Sequence, residues 1–147
     1  MNIENELKKL ESKLLEKSNF IKIEFTKEWI LKIPSKPGVY VISEKDKIIY
    51  VGETGNLQGR MKDLFDTRHH SLRRTLGRNL FINNTDFLDC SIKLKFPTSI
   101  EILLNKYVKK NLLIAYQVVE FGRKELEEKV ENSIDIKTKL NKRGKRK

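Results

Sequence analysis

Apolar positions along the chain change period several times, and each change marks an element. Ile3, Leu7, Leu10, Leu14 and Leu15 recur at helical spacing with Glu and Lys between them, which predicts an amphipathic helix over residues 3–15. Such a helix is open to use as a homodimer element or as a docking helix for a protein partner. Its spacing fits packing on its own domain better. Residues 26–33, TKEWILKI, predict a short second helix with Thr26 as N-cap and Trp29, Ile30 and Ile33 as anchors; Pro34 and Pro37 end it. Val39–Ile42 and Ile48–Val51 are runs of β-branched residues and Tyr, and the polar spacer Ser43–Lys47 makes them a hairpin. Pairing symmetric about Lys45 sets Tyr40 opposite Tyr50 on one sheet face, whereas an offset of one residue puts the rings on opposite faces. Leu57, Met61, Leu64 and Phe65 then return to helical spacing.

Further on, Leu72, Leu76 and Leu80 lie four apart, with Gly77 as a helix end or a bend. Asn83–Asp89 is polar and reads as a loop. Ile92, Leu94 and Phe96 alternate with polar residues, which predicts a half-exposed strand. Thr98-Ser99-Ile100-Glu101 is a capping box opening a helix that carries Ile102, Leu103, Tyr107 and Val108. Leu112–Val119 is almost continuously apolar, as in a central covered strand, and a last helix carries Leu126, Val130 and Ile134. The order predicts one small α/β (α+β) domain in which helices cover a mainly antiparallel sheet.

Charge adds a candidate partner. The net charge is +11. Residues 55–81 hold six Arg/Lys against Asp63 and Asp66, and residues 137–147 hold seven without an acid, so the remainder is neutral. Two basic blocks on a neutral body point to a polyanion, with Arg73, Arg74, Arg78, Lys142 and Arg143 as candidate nucleic-acid contacts. The single cysteine, Cys90, excludes an internal disulfide and any Cys-cluster metal site. The first ten residues contain no apolar signal core, and no run approaches the ~18 apolar residues of a membrane span. These features predict a cytoplasmic protein with no membrane association.

Gly38-Val39-Tyr40, then Tyr50-Val51-Gly52, then Arg60 on the following helix, resemble the GIY-YIG nuclease superfamily. The resemblance spans residues 34–141, with 1–33 as an N-terminal helical extension and 142–147 as a basic tail. It implies a three-stranded, mainly antiparallel sheet flanked by helices, and a metal-dependent endonuclease hydrolysing phosphodiester bonds in DNA. In the family the first motif tyrosine acts on the attacking water with the second beside it, which maps onto Tyr40 and Tyr50. Arg60 maps onto the helix arginine, and its place bordering the Leu57–Leu64 stripe suits a guanidinium that forks onto phosphate. A basic-segment histidine maps onto His70, with His69 an equally good occupant.

The family also holds a divalent metal, Mg²⁺ or Mn²⁺, by a helix carboxylate followed by an Asn, which fits Asn141. Among the acids of the last helix, Glu127 flanks the apolar stripe and precedes Asn141 by fourteen residues; Glu131 is the runner-up. Two departures stand out. Glu53 follows the YVG motif where repair members carry Lys, and no Pro precedes Asn141. The alternative function is a non-catalytic nucleic-acid-binding module, or an accessory subunit, on the same scaffold.

Overall fold

A computed structural model describes residues 2–134 of the chain. Six α-helices and four strands follow in the order α1 (Ile3–Leu15), β1 (Ile21–Lys22), α2 (Lys27–Leu31), β2 (Gly38–Glu44), β3 (Lys47–Thr54), α3 (Leu57–Asp63), α4 (Ser71–Phe81), α5 (Thr98–Asn111), β4 (Leu112–Val118) and α6 (Arg123–Asn132). All strand pairs are antiparallel and the sheet order is β1-β4-β2-β3. The expected three strands are β2, β3 and β4. The fourth is a two-residue ladder in which Ile21 pairs Ile114 and Lys22 pairs Leu113. Residues 2–33 are therefore part of the packed body, and Ile23, Trp29 and Ile33 belong to its core.

Both sheet faces are covered, as the unbroken apolar run of β2 requires. Tyr40 and Ile42 face a layer built by α2, α3, α4 and α5. Val39 and Val41 face a second layer in which α1 contributes Leu14 and α6 contributes Leu126 and Val130. The amphipathic N-terminal helix thus packs on its own domain. Asn2 caps it, accepting from the Glu4 and Asn5 amides.

The hairpin register differs from either simple alternative. The two-residue turn Lys45-Asp46 has positive φ at both positions, 50° and 67°, as in a type I′ turn. Glu44 pairs Lys47 and Ser43 pairs Ile48, but Ile42 pairs Tyr50 and Tyr40 pairs Gly52, so Ile49 is one extra residue in a bulge. Without that residue Tyr40 would pair Val51 and Tyr50 would sit on the opposite face. With it, both tyrosines face the same layer.

Four local expectations need correction, the first being the capping box, since the N-cap of α5 is Pro97 and makes no side-chain cap bond. Residues 91–96 form a turn, closed by Ser91 N–H to the Leu94 carbonyl at 2.8 Å, and no strand. Of the alternating residues only Phe96 finds the core, because Gly77 leaves a notch for it: a Cβ there would lie 2.3 Å from the ring. Gly77 consequently lies inside α4 and does not end it. On α5 the buried residues are Ile100, Leu104 and Val108, while Ile102 and Leu103 are exposed. Glu101 sets that rotation, its carboxylate accepting from the Phe96 amide at 3.0 Å and from Arg73 at 2.6 Å.

Candidate active site

The bulge and Gly52 converge on one spot. Gly52 lies across from Tyr40, and a Cβ on it would come within 2.6 Å of the Tyr40 oxygen, so only glycine lets the ring lie flat there. Tyr50 stacks beside it, with ring centroids 6.0 Å apart. α3 then delivers Arg60, whose Nε donates to the Tyr40 oxygen at 3.2 Å. One terminal nitrogen of Arg60 donates to Asp63 (3.3 Å) and to the His69 carbonyl (3.0 Å); the second terminal nitrogen takes part in none of these bonds.

His70 completes the cluster. It is fully buried and its Nε2 lies 2.9 Å from the Tyr40 oxygen. Its Nδ1 accepts the Leu72 amide at the start of α4, making His70 the helix N-cap. Burial, and after it the charges of Arg60, Arg73 and Arg74, hold the ring well below the ordinary histidine pKa, so it is neutral. A neutral ring whose Nδ1 accepts must carry its proton on Nε2. His70 is therefore a donor to Tyr40, and the phenolic oxygen receives two N–H groups. Burial, and next Tyr50, push the Tyr40 pKa well above its usual value, while Arg60 pulls it back. The oxygens of Tyr40 and Tyr50 act in turn on Arg60: burial opposes its charge, but their attraction outweighs that and raises its pKa. His69, the competing candidate, is exposed and sits 3.8 Å from Asp63.

The depressed His70 pKa makes a stability prediction. The unfolded chain binds a proton near pH 6.5 that the folded chain refuses, so stability falls as pH drops below 6.5. Between pH 6.5 and 5 the loss is at most about 2 kcal/mol, at about 1.4 kcal/mol per pH unit. His70→Asn keeps a cap acceptor without a titrating ring. Thermal melts at pH 7.5 and 5 are expected to show a smaller drop for this variant; an unchanged drop would assign the effect elsewhere.

The basic block of α4 has a different role from the one expected. Arg73 is 1% exposed. It bridges Glu101 (2.6 Å), Asn105 (2.7 Å) and Thr67 (3.1 Å), and lies over the Phe25 ring, so it cannot serve as a surface nucleic-acid contact. The helical face that carries it also carries Leu72 and Leu76, and burial of that face drew the guanidinium in with its partners. Arg78 is engaged by Asp89 (2.7 Å) and the Cys90 carbonyl (3.0 Å). Arg74 donates only to carbonyls, those of Thr67 and Arg68, and keeps its charge uncompensated by an acid among the described residues. Arg73→Met is expected to destabilise by about 3–5 kcal/mol, since it strands Glu101 and its neighbours. Arg74→Ala should cost far less; urea unfolding of both variants reads the difference.

Glu127 lies on α6, beside β3, the edge strand that also carries Tyr50. The apolar residues of α6 pack on the opposite sheet face from the tyrosine cluster. Of the acids at 125, 127, 128 and 131, Glu127 is the buried one, at 3% exposure. Among the described residues no group of three or more His, Cys, Asp or Glu is arranged to hold a metal. One carboxylate of this kind fits Mg²⁺ or Mn²⁺, which keep several waters and take other oxygens from substrate, and does not fit a metal that needs a protein cage. Glu53, at the position of the expected cation, pairs with Arg123 at 3.7 Å. Asn141, Lys142 and Arg143 lie outside the described residues. Among the described residues no helix is long and apolar enough to cross a membrane.

Comparison with known proteins gives the class that this arrangement defines. Residues 19–146 match the family of the GIY-YIG catalytic domain, and the chain belongs to that family, a family of nucleases. The match begins at residue 19, so it takes in β1 and α2. The chain is similar to the UvrABC system protein C of Clostridioides difficile, 37% identical over 57 residues, covering 37% of this chain and 9% of that protein. It is also similar to the UvrABC system protein C of Fusobacterium nucleatum, 31% identical over 84 residues, covering 50% of this chain and 14% of that protein. The matched stretches are thus a small part of those relatives' length. No solved structure matches the chain.

Proposed function

We propose that the protein is a metal-dependent endonuclease that hydrolyses phosphodiester bonds in DNA. The observation that carries this reading is the pair of donors, Arg60 Nε and His70 Nε2, on the Tyr40 oxygen at 3.2 and 2.9 Å. Two donors stabilise a phenolate against the burial that raises the Tyr40 pKa; once the phenol has released its own proton to solvent, that phenolate accepts the proton that an attacking water must lose. His70 holds this geometry through its helix cap and does not itself take the Tyr40 proton. Arg60 has a second terminal nitrogen outside these bonds and is 26% exposed, which suits a phosphate contact. Tyr50 supports the ring stack. Glu127 would hold Mg²⁺ or Mn²⁺, which supplies charge neutralisation at the phosphate when bound.

One observation favours the alternative, a non-catalytic nucleic-acid-binding module: Tyr40 is 0% exposed, with Arg60 across its oxygen. On the endonuclease reading, a bound phosphate turns the terminal nitrogens of Arg60 towards itself and admits water, while Nε stays on the Tyr40 oxygen. The deciding experiment is plasmid nicking with Mg²⁺ or Mn²⁺ against an EDTA control, with Glu127→Gln and Glu131→Gln in parallel. Nicking that EDTA abolishes and Glu127→Gln weakens, with partial rescue at higher metal, is expected. A protein inactive with every divalent ion but bound to DNA is the non-catalytic module.

A further inference from the structure

A groove of about 620 Å³ opens beside the cluster, between α2 and the end of α3. Its inner wall is aromatic. Phe25 and Phe65 meet with ring centroids 4.8 Å apart at 53°, and both remain half-buried. Their rear faces are occupied, Phe65 by Trp29 at 6.1 Å and Phe25 by the Arg73 guanidinium at 5.8 Å, so the wall is held rigid from behind. The rim carries Lys27 and Lys62, both exposed and neither ion-paired among the described residues. The two acids of the groove are already engaged, Asp63 by Arg60 and Asp66 by Arg68. Asp63 lines the groove and bonds Arg60, so the groove is continuous with the proposed phosphate contact.

We infer that this groove is a nucleobase subsite, taking one unpaired base of the strand whose phosphate Arg60 holds. The inference rests on the nuclease reading and adds a substrate feature to it. A recessed aromatic wall offers a stacking surface, and two free ammonium groups on its rim match the phosphates that flank a base. A base inside a duplex is already stacked on its neighbours and cannot reach the wall; a displaced or unpaired one can. The subsite therefore favours DNA with a bulged, mismatched or single-stranded nucleotide next to the cleaved bond.

The test compares two fluorescein-labelled DNA duplexes by anisotropy in EDTA, where no cleavage occurs. One carries a single unpaired adenine and the other an unpaired abasic residue, so only the base differs. Tighter binding of the adenine duplex by about 5- to 150-fold is expected, the range of one base stacked on one aromatic side chain. Phe25→Leu keeps an apolar side chain and should bring that ratio close to one while still binding the abasic duplex. The double variant Lys27→Glu, Lys62→Glu should weaken both duplexes by the same factor and flatten the log–log salt slope by about two. A wild-type ratio of one, or a ratio that survives Phe25→Leu, overturns the subsite alone. Absence of binding to both duplexes overturns the nucleic-acid reading beneath it. If Phe25→Leu does not fold, the wild-type ratio and the exposed lysine variant carry the decision.

Discussion

Tyr40→Phe is expected to lower single-turnover nicking by about 10²- to 10⁴-fold, the loss typical of a removed general base. The ring itself is kept by its surroundings. It is fully buried, stacks on Tyr50, and lies over the Cβ-free Gly52. The hydroxyl, by contrast, is the shared acceptor for Arg60 Nε and His70 Nε2. Its removal leaves a buried N–H of His70 without that acceptor, so stability should also fall, by about 1–3 kcal/mol. The protein remains folded under assay conditions, and the loss of rate should far exceed the loss of folded fraction. Tyr50→Phe is the comparison. Its hydroxyl lies 3.4 Å from Ser71 Oγ and also bears on Arg60, but it lacks the His70 N–H that Tyr40 receives, so its effect on nicking should be smaller. If Tyr50→Phe is the more damaged variant, Tyr50 rather than Tyr40 handles the water.

Arg60→Ala should be nearly as severe, about 10²- to 10³-fold in nicking, as for one lost electrostatic stabiliser. Arg60 has the position for two tasks. It polarises the Tyr40 oxygen through Nε, and it has a terminal nitrogen outside its bonds to Asp63 and His69. Arg60→Lys tests the first task, since an ammonium keeps the charge but cannot fork between phenol and phosphate. It should recover only a small part of the rate. DNA affinity should change little in either variant, because many phosphate contacts share the binding. Anisotropy and single-turnover nicking on the same preparations separate the two effects. A folded Arg60→Ala that nicks at the wild-type rate removes Arg60 from the reaction.

Much of this site is written in local sequence, and the part that is not depends on contacts distant in the chain. Runs of β-branched residues and Tyr make the hairpin, and Gly52 after the second tyrosine marks the close approach of the Tyr40 ring. The apolar stripes of α3 and α6 put Arg60 at a border and leave Glu127 alone buried among its neighbouring acids. Those signals are short-range, so periodicity suffices to read them. The facing of Tyr50 is another matter. It depends on one extra residue, Ile49, because a two-residue turn alone would have turned the ring away. A bulge is set by what both faces must bury, and no local pattern encodes it. His70 prevailed over His69 because the start of α4 needed a cap that could also reach Tyr40, 30 residues earlier.

Arg73 shows the same limit from the other side. In the sequence it is one more cation in a basic block; in the fold it is a buried clamp between Thr67, Glu101 and Asn105. Net charge over a window counts cations and says nothing of their partners, and those partners lie up to 32 residues away. The strand expected at 91–96 failed likewise, since alternation becomes a strand only where a ladder partner exists, and Phe96 found a notch at Gly77 instead. The sequence by itself determined the hairpin, the helices, the motif tyrosines and the arginine, because each is specified within a turn or a hairpin. Only the tertiary structure decided which face Tyr50 shares, which histidine donates, and which arginines remain available to a polyanion, because each depends on long-range burial and pairing.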